Sequence, residues 1–393
     1  MAESFYQEVS VATGLPGTSG QSRLVGTVSG TYPSTGTFST GDYVVDVTGG
    51  MWVCTASGTP GTWISVGTPP TAQIAGKNKI LNGDFNIWQR GAGPFKIAAS
   101  GSMYTADQWY FQQSTGLTTQ SISQQTFTPG TAPVPGYESQ YFLRMSLSGT
   151  QTGYPSFIQK IEDVRTFAGQ TVTLSFWAKA SASGIFNQSI SQNFGTGGSS
   201  QSYSSVCINQ NNSFPTLTIG TTWQRYSLTW NISSVSGQTI GPNSALIVQS
   251  IYWNPGMTLP ATIDIWGVQL EAGPVATEFT TATANKQGEL AACQRYFYGN
   301  TFGTQLTLTA QLFSGVNYST VYMLPVPMRI LPSITFGLAT YNDSNAQWFN
   351  TTTSGPYTTG IAVQSNQGIR LQYSNASLFG LVNFNYLQAS AEL

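Results

Sequence analysis

Apolar and polar residues alternate along most of the chain with the period of a strand, and almost nowhere with the period of a helix. In residues 171–179 (TVTLSFWAK), Val172, Leu174 and Phe176 fall on one face and Thr173, Ser175, Trp177 and Lys179 on the other. In residues 223–232 (WQRYSLTWNI), Tyr226, Leu228, Trp230 and Ile232 point one way, and Arg225, Ser227, Thr229 and Asn231 the other. The same one-sided pattern returns at 141–147 (YFLRMSL), 206–209 (VCIN) and 246–252 (LIVQSIY), with clusters of Gly, Pro and Asn between. Many short strands, each with one apolar face, predict an antiparallel β-sandwich. Residues 80–91 (ILNGDFNIWQRG) read as its first strand, and 267–279 (GVQLEAGPVATEF) as its last strand followed by a Gly-Pro chain exit.

The same reading divides the rest of the chain. Residues 1–22 are polar, interrupted by Gly and Pro and too short to fold alone, so they are expected to become ordered on a partner. Residues 23–68 carry four short strand signals and form a small β-module with Trp52 and Trp63 in its core; residues 69–79 are a linker stiffened by Pro69-Pro70. The sandwich occupies 80–279. From 280 to 393 strand signals continue at 291–298, 307–313, 320–324, 333–338, 361–363, 369–373 and 379–392, with Pro325 and Pro327 marking a loop or an edge. That region reads as a second, smaller β-sandwich. The fold class is therefore all-β: a small N-terminal β-module, a central antiparallel sandwich and a C-terminal sandwich. No strict internal repeat points to a β-helix or a propeller.

Composition narrows the chemistry. With 14 Lys+Arg against 15 Asp+Glu and only 7% charged residues, the surface is built from Ser, Thr, Asn, Gln and Gly. Electrostatic attraction to nucleic acid or to an acidic membrane is not expected, and no window has the length of a membrane span. Aromatic residues at 13% and hydrophobic residues at 40% exclude a disordered chain. Three widely spaced cysteines support neither a disulfide framework nor a Cys-based zinc site. The absence of histidine excludes Ser-His-Asp and Cys-His nucleophilic sites. Paired-carboxylate glycan hydrolysis survives as a minor reading; the adjacent pair Glu162 and Asp163 is its one candidate, and neighbours on a strand or turn diverge.

Uncharged amides, hydroxyls and aromatic rings suit sugar contact, and equally suit a stable β-protein with no ligand. Trp177 is the sharpest candidate for sugar stacking because alternation takes it off the core face; Trp109, Tyr203, Tyr252 and Trp253 lie in or beside Gln- and Asn-rich stretches. For each of them packing is the ordinary alternative.

The sequence order ILNGDF, GQTVTLSFWAKAS, TTWQRYSLTW and ATIDIWGVQLEAG over residues 80–279 resembles the carbohydrate-binding jelly-roll modules of the galactose-binding-like superfamily. The resemblance implies a sandwich closed by its first strand beside its last, and a structural calcium ion near those ends, with Asp84, Asp264 and the Asn82 carbonyl as its candidate ligands. The continuation ATEFTTATANKQGELAACQRYF, with LPVPMRILPSITF and the terminal ASAEL, resembles bacteriophage tail-fibre, receptor-binding and head-fibre proteins, and GDYVVDVTGGMWVCTASGTPGTW is similar to small modules near the virion end of such fibres. It implies a non-enzymatic fibre or spike on the virion surface, synthesised in the host cytoplasm, homotrimeric, docked on other virion proteins through residues 1–22 and adhering to a host cell-surface glycan, without membrane insertion. The chain departs from the family in having Thr280 and Thr281 where an acidic residue or Arg is common. Two other readings stay open: a structural decoration or connector that binds only virion proteins, and a depolymerase.

Overall fold

The computed structural model describes residues 24–28, 32–46, 51–67, 76–98, 100–113, 119–134, 139–148, 155–201, 206–207, 214–252, 260–283, 285–299, 306–309, 311–314, 317–338, 349–350, 360–363, 366–374 and 380–393. The chain divides into two compact units, Met1–Ile74 and Ala75–Leu393. The expected tail, residues 1–22, lies outside the described residues.

The first unit is the small β-module. β1 (Leu24–Val28) runs parallel to β2 (Tyr43–Asp46), which pairs antiparallel with β3 (Met51–Ala56) and through it with β4 (Thr62–Gly67). Its core is Phe38, Val44, Cys54 and Trp63 with Trp52 packed against it, so both tryptophans stand where alternation places them.

The second unit opens with thirteen strands: β5 (Phe95–Ile97), β6 (Ser102–Tyr104), β7 (Tyr110–Gln113), β8 (Thr119–Thr126), β9 (Tyr141–Ser148), β10 (Pro155–Glu162), β11 (Thr171–Ala180), β12 (Gly184–Asn193), β13 (Val206–Cys207), β14 (Thr216–Ile219), β15 (Gln224–Asn231), β16 (Ala245–Tyr252) and β17 (Ala261–Ala272). They form a six-stranded sheet, β14-β12-β16-β10-β7-β6, and a seven-stranded sheet, β13-β15-β11-β17-β9-β8-β5. Every pairing in both is antiparallel. One core joins the sheets: Phe111, Phe157, Phe186 and Val248 from the first meet Leu143, Phe176, Trp230 and Ile265 from the second. Each such side chain contributes about 1.5–3 kcal/mol through burial, which is why strict alternation fixes the register. The central domain is an antiparallel jelly-roll sandwich.

Two departures from simple alternation shape it. The pairing of β11 with β17 slips between Ser175 and Trp177, at Gly267, whose φ is +65°. This glycine bulge flips the phase of β17. Leu270 and Val268 face the core on one side of it and Ile265 and Ile263 on the other, and Trp266 and Asp264 are turned outward together. The segment expected as the first strand, ILNGDF, is instead a run of turns. Asn82 and Phe85 have φ of 53° and 55°, a conformation no strand holds. It does lie against the last strand, with Lys79 N donating to Leu270 O at 3.0 Å and Val268 N to Gly83 O at 2.9 Å.

The region after the sandwich begins with a helix, which takes residues 291–294 of the expected 291–298 strand and leaves Phe297 and Tyr298 in one. α1 (Lys286–Gln294) is capped by Asn285, whose side chain accepts from Gly288 N, and Glu289 and Cys293, one turn apart, are its buried residues. The helix forms because an Asn cap precedes a run without β-branched residues. Then follow β18 (Phe297–Gly299), β19 (Leu306–Thr309), β20 (Gln311–Ser314), β21 (Asn317–Met323), β22 (Ser333–Leu338), β23 (Phe349–Asn350), β24 (Gly360–Val363), β25 (Gly368–Ser374) and β26 (Gly380–Ser390). β26 is the spine of one antiparallel sheet, pairing with β18, β19, β22 and β23; β20-β21-β25-β24 form the other. Pro325 and Pro327 sit in the loop after β21, as their missing N–H groups require.

Candidate sugar-contact faces and the polar seam

The sandwich presents two outer faces of different chemistry. On the six-stranded sheet, alternation outward from the core places Thr216 and Thr218, Asn187 and Ser189, Gln249, Ser156 and Ile158, Tyr110 and Gln112, and Ser102 and Tyr104 side by side across the strands. The band carries no charge of its own from Thr216 to Gln249, but its far end meets the C-terminal region: the Lys160 ammonium lies 5.5 Å from the Tyr110 ring, the Arg90 guanidinium 5.3 Å from the Tyr104 ring, and Tyr104 Oη donates to Leu393 O at 2.9 Å. Asn187 Oδ1 accepts from Thr216 Oγ1 at 3.0 Å, and Tyr110 donates to Ser102 Oγ. At its centre Ser189 is 1% exposed, and its hydroxyl has no hydrogen-bond partner. A hydroxyl this deeply buried is closed to a ligand on the face, and an ordered water would complete its set.

On the seven-stranded sheet, Trp266, Phe142, Phe127 and Phe279 make a second, separate apolar cluster, with Trp177, Trp223, Ala132 and Val134 packed against it. The rings of Phe127 and Phe142 pack tilted with centroids 4.7 Å apart, and those of Trp266 and Phe279 likewise at 5.0 Å. Phe279 belongs to the GPVATEF exit, so the exit folds back over the sheet. Asp264 receives a two-pronged Arg144 (2.6 and 2.8 Å) with Lys179 at 3.6 Å, and Lys179 lies 5.3 Å from the Trp223 ring. This face is more apolar than its sequence suggests. Trp266 reaches it only through the Gly267 bulge, and Phe127 lies just beyond the end of β8.

The predicted sugar contacts are dispersed. Trp177 is on the outer face, half-buried, as alternation requires, and packs on the cluster. Trp109 is a core residue, 1% exposed, with its Nε1 donating to Asn82 O at 3.0 Å, so it cannot stack on a sugar. Tyr203 and Trp253 lie outside the described residues, as does the side chain of Tyr252, whose backbone ends β16.

The calcium ligand set is not assembled. Gly83 lies beside Val268, and Asp264 is further along β17 by roughly 13 Å at ~3.3 Å per residue. Asp264 is neutralised by Arg144 and Lys179, and the Asn82 carbonyl is taken by Trp109. Asp84 is buried and bonded to the Asn86 amide. Among the described residues no group of three or more carboxylate or thiol side chains could hold a metal ion. Hard cations need about six oxygens, so these residues do not fit one. The three cysteines are free and buried.

Charge is concentrated where the C-terminal region meets the six-stranded sheet. Glu162 accepts from Arg295 at 2.7 Å and from Tyr296 Oη at 2.9 Å; Arg90 pairs with Glu392 at 2.7 Å and lies 3.4 Å from the Phe297 ring. Asp163, at φ +70°, turns away to Arg165, so the two adjacent carboxylates face different partners. Asp107 is fully buried, its oxygens accepting from Gln89 N (2.7 Å) and Gln89 Nε2 (2.6 Å). Burial pushes its carboxyl up to about 7 against the opposing pull of Arg90 and the Gln89 bonds. Burial likewise raises Asp84, Glu289 and Glu392, and lifts the Cys293 thiol well above its usual value. Glu289 ties the helix to the turn by accepting from Asn82 N at 2.6 Å and Thr283 Oγ1 at 2.9 Å. Glu271, buried beside the exit, accepts from Thr277 N and Oγ1 and pairs with Lys77 at 3.3 Å. None of this was legible as a pattern, since its members lie up to some 300 residues apart, as Arg90 and Glu392 do.

No protein-family model matches the chain, and no curated protein matches it. Among solved structures, it is similar to a family 11 carbohydrate-binding module from Clostridium thermocellum in complex with a β-1,3-1,4-mixed-linked tetrasaccharide, at 12% identity over 42% of this chain and 88% of that one, TM-score 0.25. It is also similar to the N-terminal cellulose-binding domain of Cellulomonas fimi β-1,4-glucanase C, at 13% identity over 36% of this chain and 87% of that one, TM-score 0.26. The sandwich assignment stands on the strand pairing of the chain itself.

Proposed function

We propose that the chain is a non-enzymatic adhesion protein whose jelly roll binds glycan through the outer face of its six-stranded sheet. The observation that carries this is the uncharged row of Thr216, Asn187, Ser189 and Gln249 side by side on three adjacent strands. A pyranose offers hydroxyls that both donate and accept, and a row of amides and hydroxyls complements it without net charge. The motif order in the sequence supports the finer reading, a bacteriophage fibre or spike: residues 1–22 dock on the particle, three chains associate, and weak single-site contacts gain strength by multivalency.

Glycan-array binding by the full chain tests it. Gln249→Ala and Asn187→Ala each remove hydrogen bonds worth about 1 kcal/mol, or roughly fivefold in affinity, and their combination is expected to abolish array signal. Loss of binding with Trp177→Ala alone would move the site to the opposite sheet. Absence of binding to any glycan or host cell would leave the purely structural virion role, and release of oligosaccharide from host polysaccharide would establish the depolymerase.

A further inference from the structure

We propose that the polar cluster where the chain leaves the sandwich is a self-modifying site, in which the Thr277 hydroxyl attacks the side-chain amide of Gln269 and forms an internal ester with loss of ammonia. The site lies apart from the proposed glycan face and does not depend on it. Gln269 and Glu271 stand two residues apart on β17, beyond the Gly267 bulge, so their side chains share the outer side of the strand, and both are fully buried. The exit segment folds back over them and brings Thr277 alongside, where Arg225 donates to its carbonyl.

Each role in an acyl transfer is filled at hydrogen-bond distance. Thr277 Oγ1 donates to Glu271 Oε2 at 2.6 Å, so the nucleophile already bears on its base. Gln269 Nε2, the leaving nitrogen, donates to the other oxygen of the same carboxylate at 2.7 Å and lies 3.3 Å from Thr277 Oγ1. Gln269 Oε1 accepts from Thr280 N at 2.8 Å, a fixed backbone donor where negative charge develops during attack. Lys77 stands 3.3 Å from Glu271 Oε2 and donates to Thr277 Oγ1, and its positive charge favours loss of the hydroxyl proton. Packing alone asks only that each buried group be bonded; here one carboxylate bridges nucleophile and leaving nitrogen while a separate donor holds the carbonyl oxygen. Cδ is one bond beyond Nε2, and a small advance of the hydroxyl over the amide brings it to the ~3–3.5 Å that attack requires. In the step, Thr277 Oγ1 bonds to Cδ as its proton passes to Glu271. The Cδ–Nε2 bond then breaks, the nitrogen takes that proton and leaves as ammonia, and Glu271 is a carboxylate again. Nothing is oxidised or reduced, and no co-reactant enters. Thr277 is half-buried and the Lys77 side chain 21% exposed, so ammonia has a way to solvent, whereas the Gln269 carbonyl is closed to water. The ester fastens the exit to β17.

Mass spectrometry of the purified full chain, denatured and then digested with trypsin, tests the assignment. Gln269 and Thr277 fall on one peptide, residues 226–286, which follows Arg225 and ends at Lys286. That peptide is expected to be lighter than its sequence by one molecule of ammonia and to give no fragment that separates residue 269 from 277. Neutral hydroxylamine should open it and leave a hydroxamate at Gln269. Thr277→Ser keeps a hydroxyl and should keep the deficit; Thr277→Val, of the same shape, and Glu271→Gln should restore the sequence mass. A wild-type peptide at its full sequence mass would overturn the proposal, and that result does not depend on any variant folding. A deficit that persists in Thr277→Val would place the loss of ammonia at another residue and overturn it as well. So would a link from Gln269 to the peptide bearing Lys77 that hydroxylamine leaves closed, since Lys77 would then be the nucleophile.

Discussion

Asp107→Asn changes one fully buried carboxylate at the seam between the sandwich and the C-terminal region, and its effect should reverse with pH. In the folded chain the carboxyl is raised from 3.8 to about 7, burial being the largest cause, whereas the unfolded chain keeps the ordinary value. Between those values the folded state holds a proton that the unfolded state has lost. Stability from this group is therefore fully present below about pH 4 and is lost as pH rises to about 7, a change of about 4 kcal/mol at ~1.4 kcal/mol per pKa unit. Asparagine does not titrate, so it removes that slope. It also keeps only one acceptor where Asp107 offers two, to Gln89 N and to a Gln89 Nε2 that donates in addition to Phe297 O at 2.7 Å. That loss costs about 1–3 kcal/mol at every pH. Urea denaturation of both proteins at fixed ionic strength from pH 4 to 8, following the transition of the second unit, should show the variant less stable at pH 4, and level with or above the wild type at pH 8. Two stability curves that run parallel would refute the buried-acid argument.

Gly83→Ala should fail to fold or lose more than about 3 kcal/mol, because its Cβ would stand 2.1 Å from Val268 O, in a backbone contact that Val268 N also holds in place; soluble yield and thermal midpoint report it. Gly267→Ala should cost about 1–2 kcal/mol in denaturant unfolding for its left-handed backbone, with its Cβ also 3.1 Å from Trp177 Cδ1. Arg144→Met strips the two short bonds from Asp264, leaving Lys179 at 3.6 Å as its ion-pair partner, and should cost about 3 kcal/mol by the same assay.

Where one face of a strand is buried, the period of two was sufficient. The core positions of β11 and β15, including Phe176 and Trp230, and the outward turn of Trp177 can be read from the residues alone. The misreadings share a cause: backbone conformation imposed from a distance. ILNGDF has the apolar content of a strand, but Asn82 and Phe85 adopt left-handed φ because Asn82 closes a ring of bonds to Ile87 and Asp107 that only the folded chain brings near. Residues 286–294 contain too few apolar residues for either period to stand out, and the Asn285 cap decides. The bulge at Gly267 could have been suspected, since without it the apolar run IDIWGVQL would put Asp264 into the core. The candidate face was less legible, because it needs the neighbour order of six strands.

The placement of charge connects the seam to the proposed binding face. In a chain only 7% charged, Arg90, Asp107, Lys160, Glu162, Glu289, Arg295, Arg329 and Glu392 all stand at or beside the joint between the sandwich and the C-terminal region. Buried ion pairs add little net stability, but a misplaced one is costly, so they favour one docking geometry over others. The corollary is that the β14-β12-β16 part of the sheet face, away from Lys160 and Arg90, is left to uncharged groups, where attraction to a ligand cannot be screened. Glycan binding there should change by less than about twofold between 50 mM and 500 mM salt, since no charge contributes across the contact. Affinity that falls steeply with salt in an array or titration would show that Lys or Arg side chains carry the binding, and would remove the uncharged band as its site.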